Sequence, residues 1–201
     1  PTTASDAKLP VLFWVHGGAH RFGTSTNMPG EELASRGVVL VSINYRLGPL
    51  GFMSHPELTA EGCRGNQGLL DTVSALQWVN RNITTFGGDP ANVTVFGESA
   101  GGHSTCAMFT SPLTKGLMHR AIAQSGVGAH ATQLLDSAGA VPMSAHDTGE
   151  MLGEVLGCEK GAGQLAAMRD VSIDDIINKT ATFPMPGVII DGYCQPKNPL
   201  T

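Results

Sequence analysis

Val93-Thr94-Val95-Phe96-Gly97-Glu98-Ser99-Ala100-Gly101-Gly102 is the stretch whose reading decides the fold. Val93 to Phe96 alternate branched and aromatic side chains, as a short buried strand does. Gly97-Glu98-Ser99-Ala100-Gly101 fits G-x-S-x-G, the pattern of a nucleophile elbow that stands a serine on a sharp turn between strand and helix. Glycines at the two flanking positions lack the β-carbons that would collide where strand and helix pass close together.

Working outward, Leu69, Val73, Leu76, Val79 and Ile83 recur at intervals of three and four, marking one face of an amphipathic helix. Gly87-Gly88-Asp89-Pro90 then turns the chain into the elbow strand. Further upstream, Leu9-Pro10-Val11-Leu12-Phe13-Trp14-Val15 is an almost unbroken apolar run of strand length, the pattern of a parallel strand covered on both faces. His16-Gly17-Gly18-Ala19-His20 follows at once, and two glycines at a strand's end can leave backbone N–H groups free to face a crevice and hold a developing oxyanion. Glu31 to Gly37 reads as a short helix closed by glycine, and Val38 to Ile43 as a second buried strand. Asn44 to Phe52 reads as a long loop whose glycines and proline exclude regular structure.

Downstream, Arg120 to Gly126 reads as the next strand, while 144–157 and 163–179 read as helices of an insertion over the sheet's C-terminal edge. The fold class that follows is α/β, a partial and mostly parallel sheet with flanking helices and a C-terminal helical insertion.

Composition narrows the function. A chain of 201 residues can bury one substantial core, and a net charge of −5 with 2 Trp and 2 Tyr offers no footprint for nucleic acid. No apolar run reaches the length of a membrane span. The seven histidines lack compact ligand spacing, and the four cysteines, Cys63, Cys106, Cys158 and Cys194, lack C-x-x-C spacing, so neither a metal nor another cofactor is expected. Four cysteines allow three pairings, and most are expected to be free and packed.

Several of these stretches together resemble the type B carboxylesterase family, the cholinesterase-like branch of the α/β-hydrolases. They are Leu9 to Ala19, Asn44 to Phe52, Gly65 to Gly102, Arg120 to Gly126 and Asp191-Gly192-Tyr193, with Phe86 to Pro90 followed by Val93 to Gly102 the most specific. The resemblance implies that Ser99 is the acylated nucleophile and that Gly18, Ala19 and Ala100 supply the oxyanion hole. Each such donor is worth roughly 2.7–4 kcal/mol of barrier lowering. It further implies that Glu98 is a carboxylate buried near the site, that Ser125 supports the active centre, and that Arg46 and Asp71 form a largely buried ion pair. The implied partner is a small carboxylic ester, and the family weakly favours a secreted or periplasmic location.

Two departures stand out. Where many members carry a third glycine and an aromatic residue, this chain has Ala19 and His20, which places a histidine at the expected acyl-pocket wall. No stretch after Ser99 matches the family's acid and histidine motifs. His103 is one turn beyond Ser99, and His119, His130 and His146, the last preceded by Asp136, lack the supporting pattern. The reading is therefore an internal fragment of a serine esterase, residues 1–201 forming part of the catalytic domain. The alternative is a catalytically silent adhesion or binding module of the same family, against which the intact Ser99 counts.

Overall fold

A computed structural model describes residues 6–126, 133–139 and 141–198. Four parallel strands, β1 (Leu9–Val15), β2 (Val39–Ile43), β3 (Gly88–Glu98) and β4 (Arg120–Gln124), form one sheet in the order β2-β1-β3-β4. The register is set by apolar side chains facing the same way: Val11 lies beside Val39 and Val93, Phe13 beside Val41 and Val95. Val11, Phe13, Val15, Val93 and Val95 are fully buried. The other face of β1 is only half covered, because Leu12 and Trp14 keep part of their surface exposed.

Between the strands run α1 (Glu31–Ala34), α2 (Gly48–Phe52), α3 (Pro56–Ala60), α4 (Gln67–Asn82) and α5 (Ala100–Thr110). The expected stripe of α4 is realised, with Leu69, Val73, Leu76 and Val79 buried against the sheet. Ile83 continues that stripe from a 3-10 turn that Gly87 closes at φ 78°. Asn44 to Phe52 corrects the sequence reading. It is not a loop throughout, because Pro49 sits in the first turn of α2, where its missing N–H costs nothing and its fixed φ suits the helix.

The C-terminal part forms α6 (Ala145–Leu156), α7 (Gln164–Arg169) and α8 (Ile173–Thr180). A reciprocal Ser144–Asp147 capping box starts α6 and Gly157 at φ 90° ends it. These helices make their own small core from Leu152, Leu156, Cys158, Met168 and Phe183, onto which Met53 packs. They are fastened to α3 by the Glu57 carboxylate, which accepts from the Gly163 and Leu165 N–H groups, and by His55–Gln164, Thr59–His146 and Arg169–Glu61 bonds.

All four cysteines are free: Cys158 and Cys194 are buried, Cys106 is partly so, and Cys63 is exposed. Burial pushes the Cys194 thiol up to about 12. Among the described residues no helix is long and apolar enough to cross a membrane, and no cluster could hold a metal ion.

The Arg46–Asp71 pair forms, yet it is not buried as expected. Arg46 Nη2 lies 2.7 Å from Asp71 Oδ1 and Nε 2.8 Å from Oδ2, but the side chains remain 55% and 28% exposed. The Arg46 backbone N–H, donating to Asp71 at 3.0 Å, and Nη2, donating to the Gln67 carbonyl at 3.5 Å, join the pair to the chain path. Asp71→Ala should then cost about 1–2 kcal/mol in urea unfolding, an exposed pair plus one backbone bond. A buried pair would cost roughly 3–5 kcal/mol. Part of that loss should vanish in high salt.

Candidate active site

Strand order places the site. The chain leaves β1 toward β2 on one side and β3 toward β4 on the other, so the C-terminal ends of β1 and β3 open a crevice between diverging connections. Val15 pairs with Gly97, which sets His16-Gly17 beside Glu98-Ser99.

Ser99 occupies φ 52°, ψ −119°, a sparsely populated conformation costing roughly 1–3 kcal/mol. Its neighbours impose that shape. The Ser99 N–H donates to the Gln124 carbonyl at 2.8 Å, and its own carbonyl accepts from the His103 N–H at 3.0 Å. Although Ser99 stands at the N-cap of α5, its hydroxyl makes no capping bond and is left for other use. The flanking glycines are required by contact: a β-carbon on Gly101 would overlap the Val15 carbonyl oxygen and come within 2.8 Å of the His16 oxygen, and one on Gly97 would overlap the Gly101 carbonyl. Gly17 is pressed against the nucleophile in the same way, since a β-carbon there would lie 3.2 Å from the Ser99 β-carbon.

The loop after β1 turns through three consecutive left-handed residues, Gly18 at φ 107°, Ala19 at 53° and His20 at 58°. The Gly18 carbonyl accepts from Arg21 and Phe22, folding the loop back on itself. The N–H groups of Gly18 and Ala19 find no acceptor among the described residues. Ala100 opens α5, where a helix offers its N–H no internal partner. Gly18 and Ala19 thus follow the strand end that lies beside Ser99, and Ala100 follows Ser99 directly.

The other predicted residues are placed less uniformly. Glu98 is exposed, contrary to expectation, and ends β3 with its carboxylate beside Gly17. Ser125 ends β4, exposed, at φ 51°, and the next residue, Gly126, packs against the Ser99 carbonyl and the His103 N–H. His20 is buried, 7% exposed, with Nε2 2.9 Å from Ser104 Oγ and its ring 4.5 Å from that of Phe52. Burial above all, with His103 and His16 nearby, lowers its pKa from 6.5 to about 4 against a smaller opposing effect of the Ala100 carbonyl.

One ring nitrogen of each of five histidines is bonded to a group other than Ser99: His16 with the Gly17 carbonyl, His20 with Ser104, His55 with Gln164, His119 with the Val93 N–H and His146 with Thr59. His103 lies on α5, and His130 lies outside the described residues.

Two supporting residues escaped the sequence reading. Tyr45 donates its hydroxyl to the His16 carbonyl at 2.8 Å and stacks on the His16 ring at 4.4 Å; burial raises its pKa. Ser104 holds His20 from α5. Tyr45 could have been found from the pairing of Val15 with Ile43, which brings the two strand ends together. Nothing in the sequence distinguished Ser104 from any other helix serine.

Comparison with known proteins follows the geometry. The carboxylesterase family model matches residues 1–201. The chain is 43% identical to the para-nitrobenzyl esterase of Bacillus subtilis (strain 168) over 180 residues, 88% of this chain and 34% of that protein. It superposes on the carboxylesterase EST55 of Geobacillus stearothermophilus with a TM-score of 0.86 at 34% identity, covering 98% of this chain and 42% of that one. Against the juvenile hormone esterase of Manduca sexta the TM-score is 0.84 at 27% identity, over 96% and 38%. The chain therefore spans about a third of the length of the esterases it matches in sequence.

Two outcomes are expected from the packing and the buried imidazole. Gly101→Ala should lower Tm by roughly 4–8 °C, the equivalent of about 2 kcal/mol of overpacking in a chain this size, because backbone on both sides must move. His20, neutral when folded and protonated below pH 6.5 when unfolded, should cost stability as pH falls from 6.5 toward 4 and contribute nothing above that window. The loss should approach about 3 kcal/mol and be absent from His20→Phe, measured by thermal melts of the two proteins from pH 7 to pH 4.5.

Proposed function

The chain belongs to the carboxylesterase family, and from that premise we propose that the protein it forms part of hydrolyses small carboxylic esters through an acyl-enzyme at Ser99. The observation that carries this reading is the strained serine beside a loop whose Gly18 and Ala19 N–H groups find no acceptor among the described residues. A base removes the Ser99 proton while Oγ attacks the ester carbonyl. The carbonyl oxygen becomes an oxyanion held by Gly18, Ala19 and Ala100 N–H groups. The alcohol leaves with the proton, and water then releases the acid by the reverse path. Glu98 and Ser125, at the ends of β3 and β4, border the elbow and support its placement.

The base is proposed to come from a histidine other than His16, His20, His55, His119 and His146, because each of these rings is already bonded to a group other than Ser99. The ester is proposed to be small, in keeping with a net charge of −5 and no basic run in the sequence. Residues 1–201 are proposed to form only part of the catalytic unit, in keeping with the fraction of each relative that the chain spans.

The test is covalent labelling. A fluorophosphonate should modify Ser99 in the complete polypeptide, which should also turn over an aryl ester, and Ser99→Ala should abolish both. Residues 1–201 alone should show little turnover, since losing triad members leaves only about 10³–10⁴-fold acceleration over water. Robust turnover by residues 1–201 that disappears on mutating His119 or His146 would overturn the assignment of the base.

A further inference from the structure

We propose that His20 is a positioning residue for the oxyanion hole: its bond to Ser104 clamps the Gly18–Ala19 loop onto the first turns of α5, so that the Gly18, Ala19 and Ala100 N–H groups converge. This role rests on the esterase reading above. It differs from the expected place of His20 in the acyl-pocket wall.

Gly18 tolerates its left-handed conformation, but Ala19 and His20 do not do so freely, and two such residues in succession relax unless something holds the end of the run. His20 is that end. Its backbone carbonyl accepts from the Gly48 N–H at 2.7 Å, and its side chain reaches across to α5.

Ser104, Gly187, Phe52 and Tyr45 surround the ring. Nε2 faces Ser104 Oγ at 2.9 Å, on the helix whose first residue is Ala100. On the opposite side a β-carbon at Gly187 would come within 2.8 Å of Nδ1, so only glycine leaves room for the ring there. Phe52 and Tyr45 close the remaining sides at 4.5 and 6.2 Å between ring centroids. One imidazole thus joins the residue after two donors to the helical turn that presents the third. A phenyl ring of similar size would fill the space and lose the bond.

Its neighbours keep the ring neutral near pH 7: the titratable groups acting on it are His103 on α5 and His16 at the end of β1, with no carboxylate among them. The neutral imidazole has one N–H to donate and one nitrogen to accept, and Ser104 Oγ matches either role.

The experiment uses the complete polypeptide carrying residues 1–201. Wild type, Ser104→Ala, His20→Phe, His20→Gln and the double variant Ser104→Ala/His20→Phe are compared for turnover of p-nitrophenyl acetate and for inhibition by an alkyl trifluoromethyl ketone. The ketone adduct on Ser99 carries an oxyanion into the hole. Ser104→Ala and His20→Phe should each lower kcat about 10–100-fold, as expected for misplacement on the scale of an ångström, with KM changed by no more than about twofold. Ketone affinity should fall by the same factor. The double variant should be no worse than either single one, and His20→Gln should recover part of the loss.

A wild type that neither hydrolyses the ester nor binds the ketone overturns the esterase reading and this role with it. An active wild type with unchanged kcat and ketone affinity in Ser104→Ala overturns the role alone, even if Tm falls. Unchanged kcat with a new ranking across an acyl series in His20→Phe returns His20 to the acyl-pocket wall and overturns the clamp.

Discussion

The structure depends on the contact between the first turn of α5 and the end of β1. Gly101 sits against the Val15 carbonyl and Gly97 against Gly101, with no space for a methyl group at either place. Because backbone meets backbone there, the helix starts directly beside the neighbouring strand's last peptide, and Ser99, the middle one of the three residues between the two glycines, takes the strained turn. The position of Ser99, the opening of α5 at Ala100 and the proximity of Gly17 all follow from that approach. An additional methyl group would separate the two strand ends, and with them the serine and the loop beside it.

Much of this was legible in the sequence, for physical reasons that also explain what was not. β1, β2 and β3 announce themselves because buried parallel strands need continuous or alternating apolar side chains, and α4 because one helical face must match the sheet. The elbow and the Gly17-Gly18 loop were visible because only glycine meets their steric demands. α2 was obscured by Gly48-Pro49, read as a breaker although proline is well suited to a helix's first turn. The Arg46–Asp71 partnership came through the family resemblance, while its exposure depends on what the fold packs around it. Ser104 and Tyr45 act across the fold, and residues so distant in sequence declare no pairing until strand order and register bring them together.

The two parts of the molecule are joined differently. Around the sheet, apolar burial dominates, whereas the C-terminal helices are fastened to α3 by the Glu57 carboxylate, two histidines and an arginine–glutamate pair around a small core of their own. Directional bonds of this kind fix orientation more than they add stability. The helical layer is thereby oriented by α3, which follows directly on the segment that carries Tyr45 and Phe52 to the crevice.

The pairing of β1 with β3 has a kinetic meaning as well. Val11 and Val93 lie about eighty residues apart in sequence, and closing so long a loop requires much of the chain to be ordered before the contact repays its entropy. The serine comes with β3 and the loop beside it with β1, so neither half of the crevice exists in a partly assembled chain. A nascent or misassembled polypeptide would therefore carry an ordinary, unreactive serine. Chemical reactivity becomes a late product of folding, a report that the long-range topology is complete.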